Sequence, residues 1–153
     1  MREYVIQTLM GALGAVGFAI LFNVRKRQLV LLFLGGALDW AIYLLCVHHG
    51  YGEFLGLLFA TMTAAFTSEV LARILRTPVL ILLVPMLVPL IPGGTLYRCM
   101  DAFVRTDKDL FVTYGTSAVT SAGAIALGII AMTAASHIIF SIYDHLHKPS
   151  KTS

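Results

Sequence analysis

Val84-Pro85-Met86-Leu87-Val88-Pro89-Leu90-Ile91-Pro92-Gly93-Gly94 sets three prolines and a glycine pair inside a run otherwise apolar enough to sit in a membrane. Each proline removes a backbone donor and clashes with the preceding turn, and glycine tolerates conformations no helix uses. The stretch therefore predicts a helix broken across Pro85, Pro89, Pro92, Gly93 and Gly94. In hydrocarbon the freed backbone groups find no water, so such a break survives only buried in protein or lining a wet cavity.

The surroundings are apolar throughout. Of the 153 residues 58% are hydrophobic and 12% charged, with a mean hydropathy of +0.85, whereas a soluble domain carries about 25% charged residues. Residues 4–22, 28–47, 54–72 and 116–140 each approach or exceed the roughly 20 residues that cross about 30 Å of hydrocarbon. The broken segment, 79–104, is the remaining candidate. Its apolar part, 79–91, reaches only about 20 Å as a helix, so it either continues through Gly93 and Gly94 or turns back. The predicted fold is an all-α integral membrane protein, a bundle of about five transmembrane helices with the fourth broken at Pro-Gly-Gly.

Short cytoplasmic loops collect Lys and Arg. Arg25, Lys26 and Arg27 place the first loop inside, and Arg73 and Arg76 the third; the loop from His48 to Glu53 lacks both residue types and fits outside. Five spans put the N-terminus out and the tail with Lys148 and Lys151 in. A re-entrant fourth segment would leave the tail outside. The first span is too long for a signal-peptide core and carries its basic cluster on the wrong side. The net charge of +3 is spent on orientation and calls for no nucleic acid. The polar stretches near 97–115 and 141–153 are too short to bury a core, so residues 1–153 read as a single membrane domain lying in the lipid bilayer. No internal repeat is visible.

Asp39 stands mid-span beside Gly35 and Gly36, where a charged carboxylate costs about 3 kcal/mol on insertion scales. Two roles fit it: binding a proton or a substrate ammonium, or a structural pair with Arg98 or another subunit. Glu69 precedes Arg73 by one turn, the spacing of a helical ion pair. Thr63 and Thr67 share a helix face and can bond a polar substrate or the next helix. Arg98 follows the glycine pair, so a helix restarting at Gly93 would aim free amides and a guanidinium at an anionic group; its alternative is an interfacial anchor with Tyr97. His137 is either a proton relay or a buried, carbonyl-bonded side chain. His48 with His49, and the tail's Asp144, His145 and His147, lack metal-site geometry. Cys46 and Cys99 read as two free thiols. Small residues at Gly11, Gly14, Ala15 and Gly17, and along residues 116–128, predict close helix packing. No catalytic, cofactor or nucleotide motif is present, so uphill transport would draw on an ion gradient, most simply protons.

Residues 18–24 (FAILFNV), residues 69–78 (EVLARILRTP) and the proline-glycine stretch stand in the order and spacing of the threonine/serine exporter family (ThrE). The chain resembles its small YjjB-type subunit, the counterpart of the C-terminal membrane half of the fused exporters. The resemblance implies a bacterial inner-membrane exporter of small amino acids or dicarboxylates such as succinate, acting with a larger YjjP-type partner. Two other readings stand beside it: a homo-oligomeric channel ringed by Asp39, and a structural or assembly subunit without substrate contact.

Overall fold

The computed structural model describes residues 2–147, with side chains for all but Phe140 and residues 143–147; the expectations placed on Asp144, His145, His147, Lys148 and Lys151 lie outside it. The described residues form six α-helices: α1 (Arg2–Leu21), α2 (Lys26–His48), α3 (Gly52–Leu75), α4 (Val79–Leu87) running into a 3₁₀ turn (Val88–Leu90), α5 (Gly93–Val104) and α6 (Lys108–His147). α1, α2, α3 and α6 are each long and apolar enough to cross a bilayer. α4 and its 3₁₀ turn join α5 in a pair that passes the same test together, bent by 54°.

Small residues and a few polar ones share the interior with leucines, and large apolar side chains cover much of the outside. On α2 the inward stripe is Gln28, Leu32, Gly35, Gly36 and Asp39, while Val30, Leu34, Leu38 and Leu45 point outward and are exposed. α3 is the hub, packing on α2, α4 and α6, and it buries Gly56, Ala60, Thr61, Ala64, Ala65, Ser68 and Ala72. In water this arrangement would expose the wrong face. In lipid, where leucine gains nothing by leaving the tails, small residues bring helices together through close backbone contact.

Three long-range contacts define the two ends. The Tyr4 hydroxyl lies 3.1 Å from His48 Nδ1, setting the start of α1 beside the end of α2. Gln28 Nε2 donates to Thr77 Oγ1 at 3.1 Å, so the start of α2 meets the α3–α4 turn. The Ser121 hydroxyl donates to the Glu53 carboxylate at 3.2 Å, and further along Gly128 lies against Thr61 and the Leu58 carbonyl. α6 therefore runs parallel to α3. α4 and its 3₁₀ turn carry the chain from the α3–α4 turn back to the level of Glu53, where the break lies, and α5 goes on to pair with α6.

Local chemistry accounts for the joints. Gly50 and Gly52 take φ of 81° and 82° in the α2–α3 turn, where a Cβ would be strained. Pro85, expected to break the helix, is instead buried inside α4; the chain parts only after Leu90, at extended Ile91 and at Pro92 ahead of α5. α6 has 40 residues and starts eight residues before the expected 116. Asp107 Oδ1 accepts the Leu110 amide at 3.1 Å, an N-cap that makes the polar residues Lys108 and Asp109 the first helical turn rather than a loop. The α6 residues ahead of Ser121, about 20 Å of helix, pair with α5.

Candidate functional site

Two polar places stand out on the inner face of α2. The first is Asp39, 1% exposed, with neither carboxylate oxygen bonded to any described residue. Its neighbours explain how it is enclosed. A methyl built on Gly36 would lie 2.7 Å from Ala15 Cβ, and one on Gly35 would run into the end of Met86, so α1 and α4 close over the turn preceding the carboxylate. Ser68 of α3 donates its hydroxyl to Met86 Sδ at 3.5 Å. Along α2, Asp39 falls between Leu32, in an apolar cluster with Ala64, Leu82 and Met86, and Tyr43, packed on a second cluster of Leu57, Ala60, Leu90 and Ala124. The Trp40 indole Nε1 is also buried without an acceptor among the described residues.

The second place is a cleft of about 260 Å³ at the α4–α5 break. Pro89, Pro92, Gly93, Gly94 and Arg98 line one side of it, and Trp40, Tyr43, Glu53 and Leu57 the other. One wall is the first turn of α5, where amide groups have no intrahelical acceptor by the geometry of any helix start. Arg98 stands over the Tyr114 ring, 5.9 Å from its centroid, and has no ion pair among the described residues. Asp101 is engaged elsewhere, with Arg105 at 3.0 Å.

The expected residues divide between these places. The proline-glycine residues Pro89, Pro92, Gly93 and Gly94 share the cleft with Arg98, whereas buried Pro85 lies inside α4, away from it. The structural pair between Asp39 and Arg98 is not formed: neither Asp39 oxygen has a partner among the described residues, and the Arg98 guanidinium stands over Tyr114. Thr63 and Thr67 are half-buried on the flank of α3, and the Thr63 hydroxyl donates to the Phe59 carbonyl of its own helix at 2.9 Å. Glu69 is buried, and Arg73 one turn on is exposed. His137 is exposed on the outer side of α6 rather than buried. Cys46 and Cys99 are free thiols.

Sequence reading overlooked Glu53, Tyr43 and Trp40. Glu53 had been placed in a solvated outer loop, but it belongs to the first turn of α3. Tyr43 was within reach of pattern alone, since it follows Asp39 by four residues on the same helix face.

No curated protein and no solved structure matches the chain. The family profile described as Threonine/Serine exporter, ThrE, covers residues 7–135, which takes in all of the bundle's apolar helices except the outer ends of α1 and α6. On that match and this architecture, the chain belongs to the threonine/serine exporter family.

Proposed function

We propose that this multi-pass membrane protein is one subunit of a secondary exporter of small amino acids or small dicarboxylates. It works with a larger YjjP-type subunit, and Asp39 carries the coupling proton. The observation that carries this reading is the enclosed carboxylate of Asp39, which has no partner among the described residues. A purely structural carboxylate at this depth would hold a fixed hydrogen-bonding partner to offset its cost in the membrane. One that gains and loses a proton must be free of such a partner.

The α4–α5 cleft supplies the place where substrate enters the path. Polar backbone at a helix break is tolerated at membrane depth because a cavity or protein satisfies it. The basic residues Arg25, Lys26 and Arg27 belong to the same end as Arg76, because Gln28 and Thr77 are in contact there. Their shared position supports an inner membrane orientation with that end cytoplasmic, the N-terminus out and the C-terminus in.

Efflux of labelled threonine, serine and succinate from proteoliposomes under an imposed proton gradient tests the reading. Gradient-driven efflux is expected only when this chain and the larger subunit are both present, and Asp39→Asn is expected to uncouple it from the gradient. Conduction by this chain alone would replace the proposal with a homo-oligomeric channel. Full activity of Asp39→Asn across a range of pH would remove the proton role.

A further inference from the structure

We infer that the cleft at the α4–α5 break is a receptor for a zwitterion, in which Glu53 holds the substrate ammonium while Arg98 and the first turn of α5 hold its carboxylate. The inference rests on the exporter reading and narrows its substrate class to α-amino acids rather than dicarboxylates.

Opposite charges face one small volume without neutralising each other. Glu53, from the first turn of α3, and Arg98, from the second turn of α5, both line the cleft of about 260 Å³, and neither is in an ion pair among the described residues. Each is positioned by a contact that leaves its charge available. One Glu53 oxygen accepts the Ser121 hydroxyl at 3.2 Å. The Arg98 guanidinium rests above Tyr114, an attraction to the ring face that does not cancel its charge. The acid nearest in sequence to Arg98, Asp101, is taken by Arg105 at 3.0 Å. That pairing leaves Arg98, among the described residues, without an ion pair beside the break.

The rest of the cleft suits a small molecule with charged ends and a short side chain. The carboxylate pole combines a guanidinium with helix-start amides, both of which favour an anion. Trp40, Leu57 and Leu90 supply apolar lining beside the exposed charged side chains of Glu53 and Arg98. A dicarboxylate would turn its second negative end toward Glu53, and like charges brought together at a binding surface are strongly disfavoured.

The test measures binding of labelled L-threonine to the purified two-subunit complex, with competition by threonine methyl ester, N-acetylthreonine and succinate. Wild-type complex is expected to bind threonine at least about tenfold more tightly than any competitor, the scale of one lost charged hydrogen bond. Glu53→Gln should weaken threonine about tenfold or more while erasing its advantage over N-acetylthreonine. Arg98→Gln should erase the advantage over the methyl ester and leave the discrimination against N-acetylthreonine in place. A structural role for either residue would weaken all ligands in proportion. Proportional weakening, unchanged discrimination in both variants, or succinate binding as tightly as threonine to the wild type would each overturn the inference while the exporter reading stands. Failure of the wild-type complex to bind threonine would overturn the inference, and failure to bind either threonine or succinate would overturn the exporter reading as well.

Discussion

Around Asp39 the helices meet backbone to backbone, whereas at the α4–α5 break, on the far side of Tyr43, they part and leave charged side chains facing a cleft. Gly36 against Ala15, and Gly128 against Thr61 and Leu58, leave no room for a single added methyl. Gly93 and Gly94 have nothing within 4 Å of where a Cβ would stand. The glycines of the packed region are there for helix proximity, whereas Gly93 and Gly94, helical residues in the first turn of α5, leave the cleft open by lacking a side chain. On the proposed exporter reading, the enclosed carboxylate serves the proton and the open cleft serves the substrate.

The sharpest way to break this contrast is to apply bulk to both regions. Gly128→Leu is expected to destabilise the bundle by about 3 kcal/mol or more, seen as loss of monodisperse protein after detergent extraction. Gly94→Ala should leave extraction and thermal stability intact, because the position is open. Equal tolerance at both sites would mean that α3 and α6 are not in close contact.

Next in size is Asp39→Asn. Export coupled to the gradient should fall by about a hundredfold, while the melting temperature in detergent stays the same or rises. The sign follows from the missing partner: breaking a buried ion pair costs about 3–5 kcal/mol, but Asp39 is in no pair among the described residues. A clear drop in stability would show that the carboxylate is a structural anchor in the assembled complex.

Replacing Pro92, Gly93 and Gly94 together by alanine makes α4 and α5 competent to continue as one helix, since alanine is favoured over glycine there by about 1 kcal/mol each. Insertion should be retained and threonine efflux should drop by about tenfold or more, measured in the same proteoliposomes. Unchanged efflux would take the break out of the path. The smallest effect is expected at Thr106, a β-branched residue at φ 61° between α5 and α6. Thr106→Gly should relieve up to about 1 kcal/mol of strain, raising thermal stability by a few degrees without changing efflux.

Much of the fold is legible because its signals are local. α1, α2 and α3 follow the expected spans 4–22, 28–47 and 54–72 to within a few residues, since each is an apolar run closed by Asn23, by the Gly50–Gly52 turn or by Arg76 and Pro78. Pro85 misled the reading because a proline inside a helix is tolerated where neighbours pack around it, as Leu82, Leu83 and Met86 do here. The start of α6 was missed because Lys108 and Asp109 look like loop residues until the Asp107 cap makes them a first turn. Of the candidate site, Arg98 and the proline-glycine residues were found from composition and spacing. Glu53 was not, because nothing within its own segment distinguishes it from an outer-loop acid.

By itself the sequence determined a helical membrane protein, the position of the break and the presence of a costly carboxylate in α2. These follow from backbone chemistry and transfer energies that act within a few residues. Only the tertiary structure decided that Asp39 is enclosed without a partner among the described residues, that Asp101 is claimed by Arg105, and that Glu53 lines the same cleft as Arg98. Those outcomes depend on the parallel course of α3 and α6 and on the direction of the bend after Leu90. Both are set by which small residues let helices approach, and that pairing is resolved only when all the helices pack at once.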